Sequence, residues 1–206
     1  MGLFARAGKG APLDWLVVGL GNPGPKYAGT RHNVGEDAIR LLAQRRGATL
    51  KGGRDEALIA EVRLPGADGD ERVALAFPIT YMNDSGRSVQ AMVRRYRIEA
   101  PERIVVVHDE LDLPPGELKV KSGGGLAGHN GLRSITQHLR TQDYLRVRIG
   151  VGKPDSAHVG KVHVLAKVPR RVREQLDVAI VDAADAVEEI VASGVDAAMQ
   201  RRNAKR

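Results

Sequence analysis

The apolar run Leu16-Val17-Val18 leads straight into the turn Gly19-Leu20-Gly21-Asn22-Pro23-Gly24, and this junction constrains the fold more than any other stretch. Trp15 to Gly19 reads as a buried strand, which demands a sheet and something to cover it. Gly19-x-Gly21-x-x-Gly24 after a strand matches the dinucleotide-binding fingerprint. That fingerprint also needs a helix opening at the glycines and an acidic residue about 20 positions later. Here Pro23, Pro25 and Gly29 keep the chain irregular to about Val34, and the later stretch reads Gln44-Arg45-Arg46. The nicotinamide or nucleotide reading fails on context, and no cofactor is expected. The turn instead presents Asn22, with His32 ten residues on, at the top of a sheet.

The rest of the chain alternates in the same way. Glu36 to Arg46 has helical spacing of Ala38, Ile39, Leu41 and Leu42 with Gly47 as a stop. Glu56 to Leu64 and Arg72 to Ala76 read as a strand pair around Pro65-Gly66-Ala67-Asp68-Gly69. Ser85 is expected to cap a helix from Gly86 to Tyr96. A buried strand follows from Arg103 to His108, then a short strand from Gly116 to Lys121, a helix from Asn130 to Leu139, and a strand from Tyr144 to Val151. Val162 to Leu165 reads as a short edge segment, Arg170 to Ala192 as a long helix stopped by Gly194, then a short helix. The expected fold is a single α/β domain, a twisted mixed, mainly parallel sheet flanked by helices. Its bounds are residues 15–200, after a mobile leader over 1–14 and before a basic tail over 201–206.

Composition sets limits on chemistry. There is no cysteine, which excludes disulfides, thiolate metal sites and a cysteine nucleophile, and is compatible with a reducing cytoplasm. No stretch has the length to span a bilayer, so no membrane partner is expected. Lys plus Arg number 32 against 25 for Asp plus Glu, a formal charge of +7. Such a surplus concentrates polyanions near the surface, although it serves solubility equally well.

Polar clusters sit where the elements end, the place where α/β proteins carry their sites. They are Asn22 with His32, Tyr81-Met82-Asn83, His108-Asp109-Glu110-Leu111-Asp112 and Gly128-His129-Asn130-Gly131. Histidine suits proton abstraction from water near neutral pH, and a carboxylate that orients its ring improves it. His32 and Asp109 form such a pair if the fold joins their loops. Asn22, Asn83 and Asn130 offer uncharged donors and acceptors for an ester or amide. Asn22 also fits a plain turn, Asn130 a helix cap, and His108 and His129 structural roles. His32, His108, Asp109 and His129 are ligand types too, but no two have the spacing of known zinc motifs. Lys119 and Lys121 share one strand face, as do Arg146 and Arg148. On neighbouring strands these four would make a phosphate clamp, or else a lysine-guarded sheet edge.

Six motifs in order resemble the bacterial peptidyl-tRNA hydrolase family. They are Gly19-Leu-Gly-Asn-Pro-Gly24, Thr30-Arg-His-Asn33, Thr80-Tyr-Met-Asn83, His108-Asp-Glu-Leu-Asp-Leu-Pro-Pro-Gly116, Gly128-His-Asn-Gly131 and Arg146-Val-Arg-Ile-Gly150. The resemblance implies a monomeric, metal-independent cytoplasmic hydrolase. Its reaction cleaves the ester between a peptide and the 3′-terminal ribose of tRNA, recycling tRNA from aborted translation. By position it implies His32 as general base, Asp109 as its support and Asn22 as the residue that accepts only N-blocked groups. Tyr27, Tyr81, Asn83 and Asn130 would contact the tRNA end or the peptide. Lys121 and Arg148, with Lys119 nearby, would clamp the 5′-phosphate at the acceptor end. The chain departs from the family pattern at Leu126-Ala127, in a longer leader, and in a tail without the histidine common in relatives. A catalytically inactive RNA-binding protein of the same fold is the alternative. It accounts for the basic patch but not for a complete Asn22, His32 and Asp109 set.

Overall fold

A computed structural model describes residues 12–154 and 160–204. Seven strands form one sheet in the order β2-β3-β4-β1-β5-β7-β6. They are β1 (Trp15–Gly19), β2 (Lys51–Gly52), β3 (Ala57–Gly66), β4 (Gly69–Pro78), β5 (Ile104–Glu110), β6 (Leu118–Ser122) and β7 (Leu145–Gly150). The four central strands β4, β1, β5 and β7 run parallel, and the outer pairings are antiparallel. The helices are α1 (Val34–Arg45), α2 (Ser85–Tyr96), α3 (Asn130–Leu139), α4 (Gly160–Leu165), α5 (Arg170–Ser193) and α6 (Val195–Arg202).

Period-two alternation decides which side chains meet which helices. Trp15 and Val17 of β1, with Val105 and Val107 of β5, pack with Ile39 and Leu42 of α1 and Ile180 and Val187 of α5. Leu16, Val18, Ile104 and Val106 face the other way, onto Val89 and Met92 of α2 and Leu132 and Ile135 of α3. Both faces of the central strands are therefore dry, as their continuous apolar runs require. Helix α1 lies unusually close to the sheet. A Cβ on Gly35 would sit 2.3 Å from Val107 O, and one on Gly19 would sit 2.2 Å from Gly35 O.

Several expected boundaries move. Residues 1–11 of the expected leader lie outside the described residues, but Leu13 is buried and its N–H bonds Tyr96 O at 3.0 Å. Asp14 pairs with Arg72, so the folded unit begins before Trp15. Ser85 is the first residue of α2, not its cap; its hydroxyl donates to Met82 O. Val162 to Leu165 belongs to a helix, not an edge strand, an ambiguity common to short apolar runs. Arg201 and Arg202, expected in a tail, end α6 and pair with Glu189. Asn203 then bonds both main-chain groups of Val120 at 2.8 Å, closing part of the exposed edge of β6.

The chain goes from β1 to β4 on one side and then through α2 to β5 on the other. Such a reversal opens a crevice at the carboxyl ends of the strands. The polar clusters gather there.

Candidate active site

A cavity of about 620 Å³ opens at this edge. Asn22 enters it from the turn after β1, Tyr27 and His32 from the loop before α1, and Tyr81, Met82 and Asn83 from the connection after β4. Asp109 and Glu110 come from the last residues of β5 itself, and His129 and Asn130 from the start of α3. Strand β5 runs two residues past the expected end at His108, so a rigid element carries the carboxylate. Val164 and Leu165 of α4 give an apolar wall. The Arg31 guanidinium donates through Nη1 to His163 O at 3.4 Å, and Thr30 bridges Lys167, tying that wall to the His32 loop. A larger depression of about 920 Å³ lies at β6, α5 and α6, but its charges are largely paired, as in Arg46–Glu188 and Arg202–Glu189.

His32 and Asp109, 77 positions apart in sequence, meet directly. His32 Nδ1 lies 2.9 and 3.0 Å from the two carboxylate oxygens. An ionised carboxylate only accepts, so Nδ1 carries the proton and Nε2 keeps a free lone pair. Burial works against a charged imidazole, but the Asp109 charge and its hydrogen bond outweigh it, and the His32 pKa is raised above its usual value. Asp109 is 3% exposed. Burial alone would favour its neutral form; the His32 and His129 contacts reverse that and hold its pKa well below the carboxylate range.

His129 does more than the structural role expected of it. Its Nδ1 accepts from the N–H of Gly131 at 3.1 Å and of Leu132 at 3.3 Å, capping α3 in place of Asn130. The proton must then sit on Nε2, which donates to Asp109 Oδ1 at 3.0 Å. His32, Asp109 and His129 bring ligand-type atoms within 4.8 Å of one another. Yet ligation through His129 Nε2 would need its proton removed and the helix cap broken, so the trio suits a hydrogen-bonded carboxylate rather than a metal. His108 points to the interior, with Nδ1 donating to Asp109 O at 2.7 Å. Burial, with a contribution from His129, lowers its pKa to about 3.

Asn22 is 7% exposed, and its side-chain oxygen accepts from Met82 N at 2.8 Å. That bond turns the amino group toward the cavity as a donor. Asn83 and Asn130 are exposed at the rim, Tyr81 is 58% exposed, and Tyr27 is half-buried beneath Lys26 at 4.7 Å. The seven residues expected around the ester thus line one cavity. Lys119, Lys121 and Arg148 do not line it; they lie on β6 and β7.

The antiparallel register sets Lys119 opposite Arg148 and Lys121 opposite Arg146, so all four leave one face. They are not equivalent. Arg146 is buried, and its guanidinium bonds the carbonyls of Gly123, Gly124 and Gly125. It ties the glycine loop together, which removes it from the expected four-cation clamp. Arg148 is held by Glu110 through Nε at 3.1 Å.

The profile of the peptidyl-tRNA hydrolase family matches residues 16–206. The chain belongs to this family. The peptidyl-tRNA hydrolase of Frankia casuarinae is 48% identical over 190 residues, covering 92% of this chain and 94% of that one. That of Cutibacterium acnes is 48% identical over 198 residues, covering 92% and 98%. The crystal structure of the Acinetobacter baumannii peptidyl-tRNA hydrolase superposes with a TM-score of 0.83 at 41% identity, covering 97% and 99%. The fold, a mixed and mostly parallel seven-strand sheet flanked by helices, is therefore that of the peptidyl-tRNA hydrolases.

Proposed function

We propose that this peptidyl-tRNA hydrolase cleaves the ester by direct attack of water, with His32 as general base. The observation that carries the reading is the His32 Nδ1–Asp109 contact at 2.9 Å, which leaves Nε2 unprotonated toward the cavity. Water would give a proton to Nε2 as its oxygen attacks the ester carbonyl carbon. The imidazolium formed would be stabilised by Asp109. It would return the proton to the departing ribose oxygen, releasing peptide acid and tRNA. His129 would keep the carboxylate in place. The amino group of Asn22 would donate to the first peptide carbonyl, which a free aminoacyl ester lacks. The carboxylates lining the cavity are already committed, Asp109 to His32 and His129 and Glu110 to Arg148, so a free α-ammonium would enter without a partner of its own.

Tyr27, Tyr81, Asn83 and Asn130 are placed to meet the 3′ end and the peptide at the rim. Lys121 and Arg148, with Lys119, are proposed to hold the 5′-phosphate of the acceptor end. A terminal phosphate carries more charge than a backbone phosphate, and a fixed anchor sets its distance to the ester.

The test is release of N-acetyl-aminoacyl groups from charged tRNA by the purified chain. Free N-acetyl amino acid and intact tRNA are the expected products. Tight tRNA binding without hydrolysis would favour the inactive RNA-binding reading.

A further inference from the structure

Asn22 and His32 sit on separate parts of the connection between β1 and α1, and one side chain binds the two parts together. Asn33, next to His32, is 1% exposed and turns its amide onto the main chain of Asn22. Its Oδ1 accepts from Asn22 N at 3.0 Å, and its Nδ2 donates to Asn22 O at 2.9 Å. A side chain here makes the paired bonds that a neighbouring strand would make. The second Nδ2 proton goes to Glu36 Oε2 at 2.7 Å. A flipped amide would turn its oxygen on a carboxylate and a carbonyl, so the orientation is fixed. Gly21 supplies the room: a Cβ there would lie 2.9 Å from Asn33 Cγ and Nδ2. Glu36 in turn sits in the first turn of α1, so the amide is anchored to a helix.

We propose that Asn33 is a positioning residue that sets where the Asn22 amino group meets the substrate, and so sets the preference for N-blocked over free aminoacyl esters. The inference rests on the reading of Asn22 given above. Asn22 is held at two points, its side-chain oxygen by Met82 N and its main chain by Asn33. With the second hold lost, the turn at Pro23 and Gly24 is free to shift while the first remains. A displacement of about 1 Å costs on the order of 10²-fold where geometry governs a reaction. The Asn33 amide makes no bond to the His32 ring or to Asp109, whose contacts run through His32 Nδ1 and His129 Nε2. The base should therefore keep its titration while discrimination is lost.

The experiment compares kcat/KM for N-acetyl-aminoacyl-tRNA with that for the same tRNA carrying the free amino acid. Asn33→Asp keeps the acceptor for Asn22 N but replaces the donor to Asn22 O with a second acceptor. Gly21→Ala leaves Asn33 in the chain and pushes its amide aside, and carries the test alone should Asn33→Asp not fold. The expected result is a fall of about tenfold or more in the ratio of blocked to free substrate. The acid limb of the pH profile on blocked substrate should stay where it is in the wild type. Asn22→Asp is the control, since it keeps the acceptor for Met82 N, loses the donor and adds a carboxylate that a free α-ammonium can pair with, both of which lower the ratio. An unchanged ratio in Asn22→Asp would sink the reading of Asn22 and this inference with it. A changed ratio there, with parallel losses on both substrates in Asn33→Asp and Gly21→Ala, would overturn the role of Asn33 alone. A displaced acid limb would assign Asn33 to the base instead.

Discussion

At the scale of single residues, the chemistry turns on which nitrogen of each histidine holds a proton. Asp109 accepts from His32 and His129 together, and its charge raises the His32 pKa against the opposing effect of burial. Asp109→Asn removes that charge and leaves burial, so the acid limb of kcat/KM should move to lower pH. The asparagine also permits the wrong His32 tautomer, and turnover should fall by about 10⁴-fold, as in other carboxylate–histidine pairs. A higher KM with unchanged kcat would assign Asp109 to binding. His108 supplies a separate pH effect, on stability. The folded chain keeps it neutral down to about pH 3, whereas the unfolded chain protonates it near about pH 6.5. Between those values the unfolded state binds the extra proton, so stability is full above the upper value and falls as pH falls. The slope is about 1.4 kcal/mol per pH unit for one group. His108→Asn keeps a donor for Asp109 O and does not titrate. Denaturant titrations at pH 6 and pH 4 should lose that slope in the variant, and equal slopes would remove His108 as its source.

At the scale of elements, the site depends on how tightly α1 meets the sheet. Gly→Ala inside an exposed helix normally stabilises by roughly 1 kcal/mol. At Gly35 the sign should invert, because the added Cβ meets the backbone of Val107 and Leu20 at 2.3 to 2.8 Å. Gly35→Ala should cost about 1–3 kcal/mol, read as a lower urea midpoint at unchanged slope. A stabilised variant would mean that α1 can lift from the sheet freely. Much at this scale was legible in the sequence. The apolar runs of β1, β5 and β7, and the stops and turns around α1 and α3, placed these elements to within a few residues. What stayed hidden depends on partners distant in sequence. His129 is ambiguous in sequence because the acceptor of its Nε2 proton, Asp109, lies on another element. Arg146 looked like a surface cation until three loop carbonyls met it. Asn33 lay within a recognised motif without any local sign that it bonds Asn22. Short apolar runs such as Val162 to Leu165 carry too little periodicity to separate helix from strand.

At the scale of the whole molecule, the positive surplus is unevenly committed. On the α1, α5 and α6 side, Arg45, Arg46, Arg173, Arg201 and Arg202 pair with acids. On the β6–β7 face, Lys119 and Lys121 form no ion pair with a described residue. Removing Lys121 or Arg148 should weaken binding of full tRNA substrate and flatten its salt dependence by about one unit of log–log slope. Hydrolysis of a minimal N-blocked ester without the phosphate should hardly change. Equal losses on both substrates would mean that these residues support the site, not the tRNA. The sequence indicated both the charge and the strand faces, but could not reveal that Glu110 holds Arg148 in place.

The most direct measurement of the central claim is single-turnover hydrolysis of N-acetyl-aminoacyl-tRNA by His32→Ala, with tRNA affinity measured beside it. Loss of a general base should slow the chemical step by about 10²–10⁴-fold, with the fold and the affinity for tRNA retained. Hydrolysis at the wild-type rate by a folded His32→Ala protein would contradict the account.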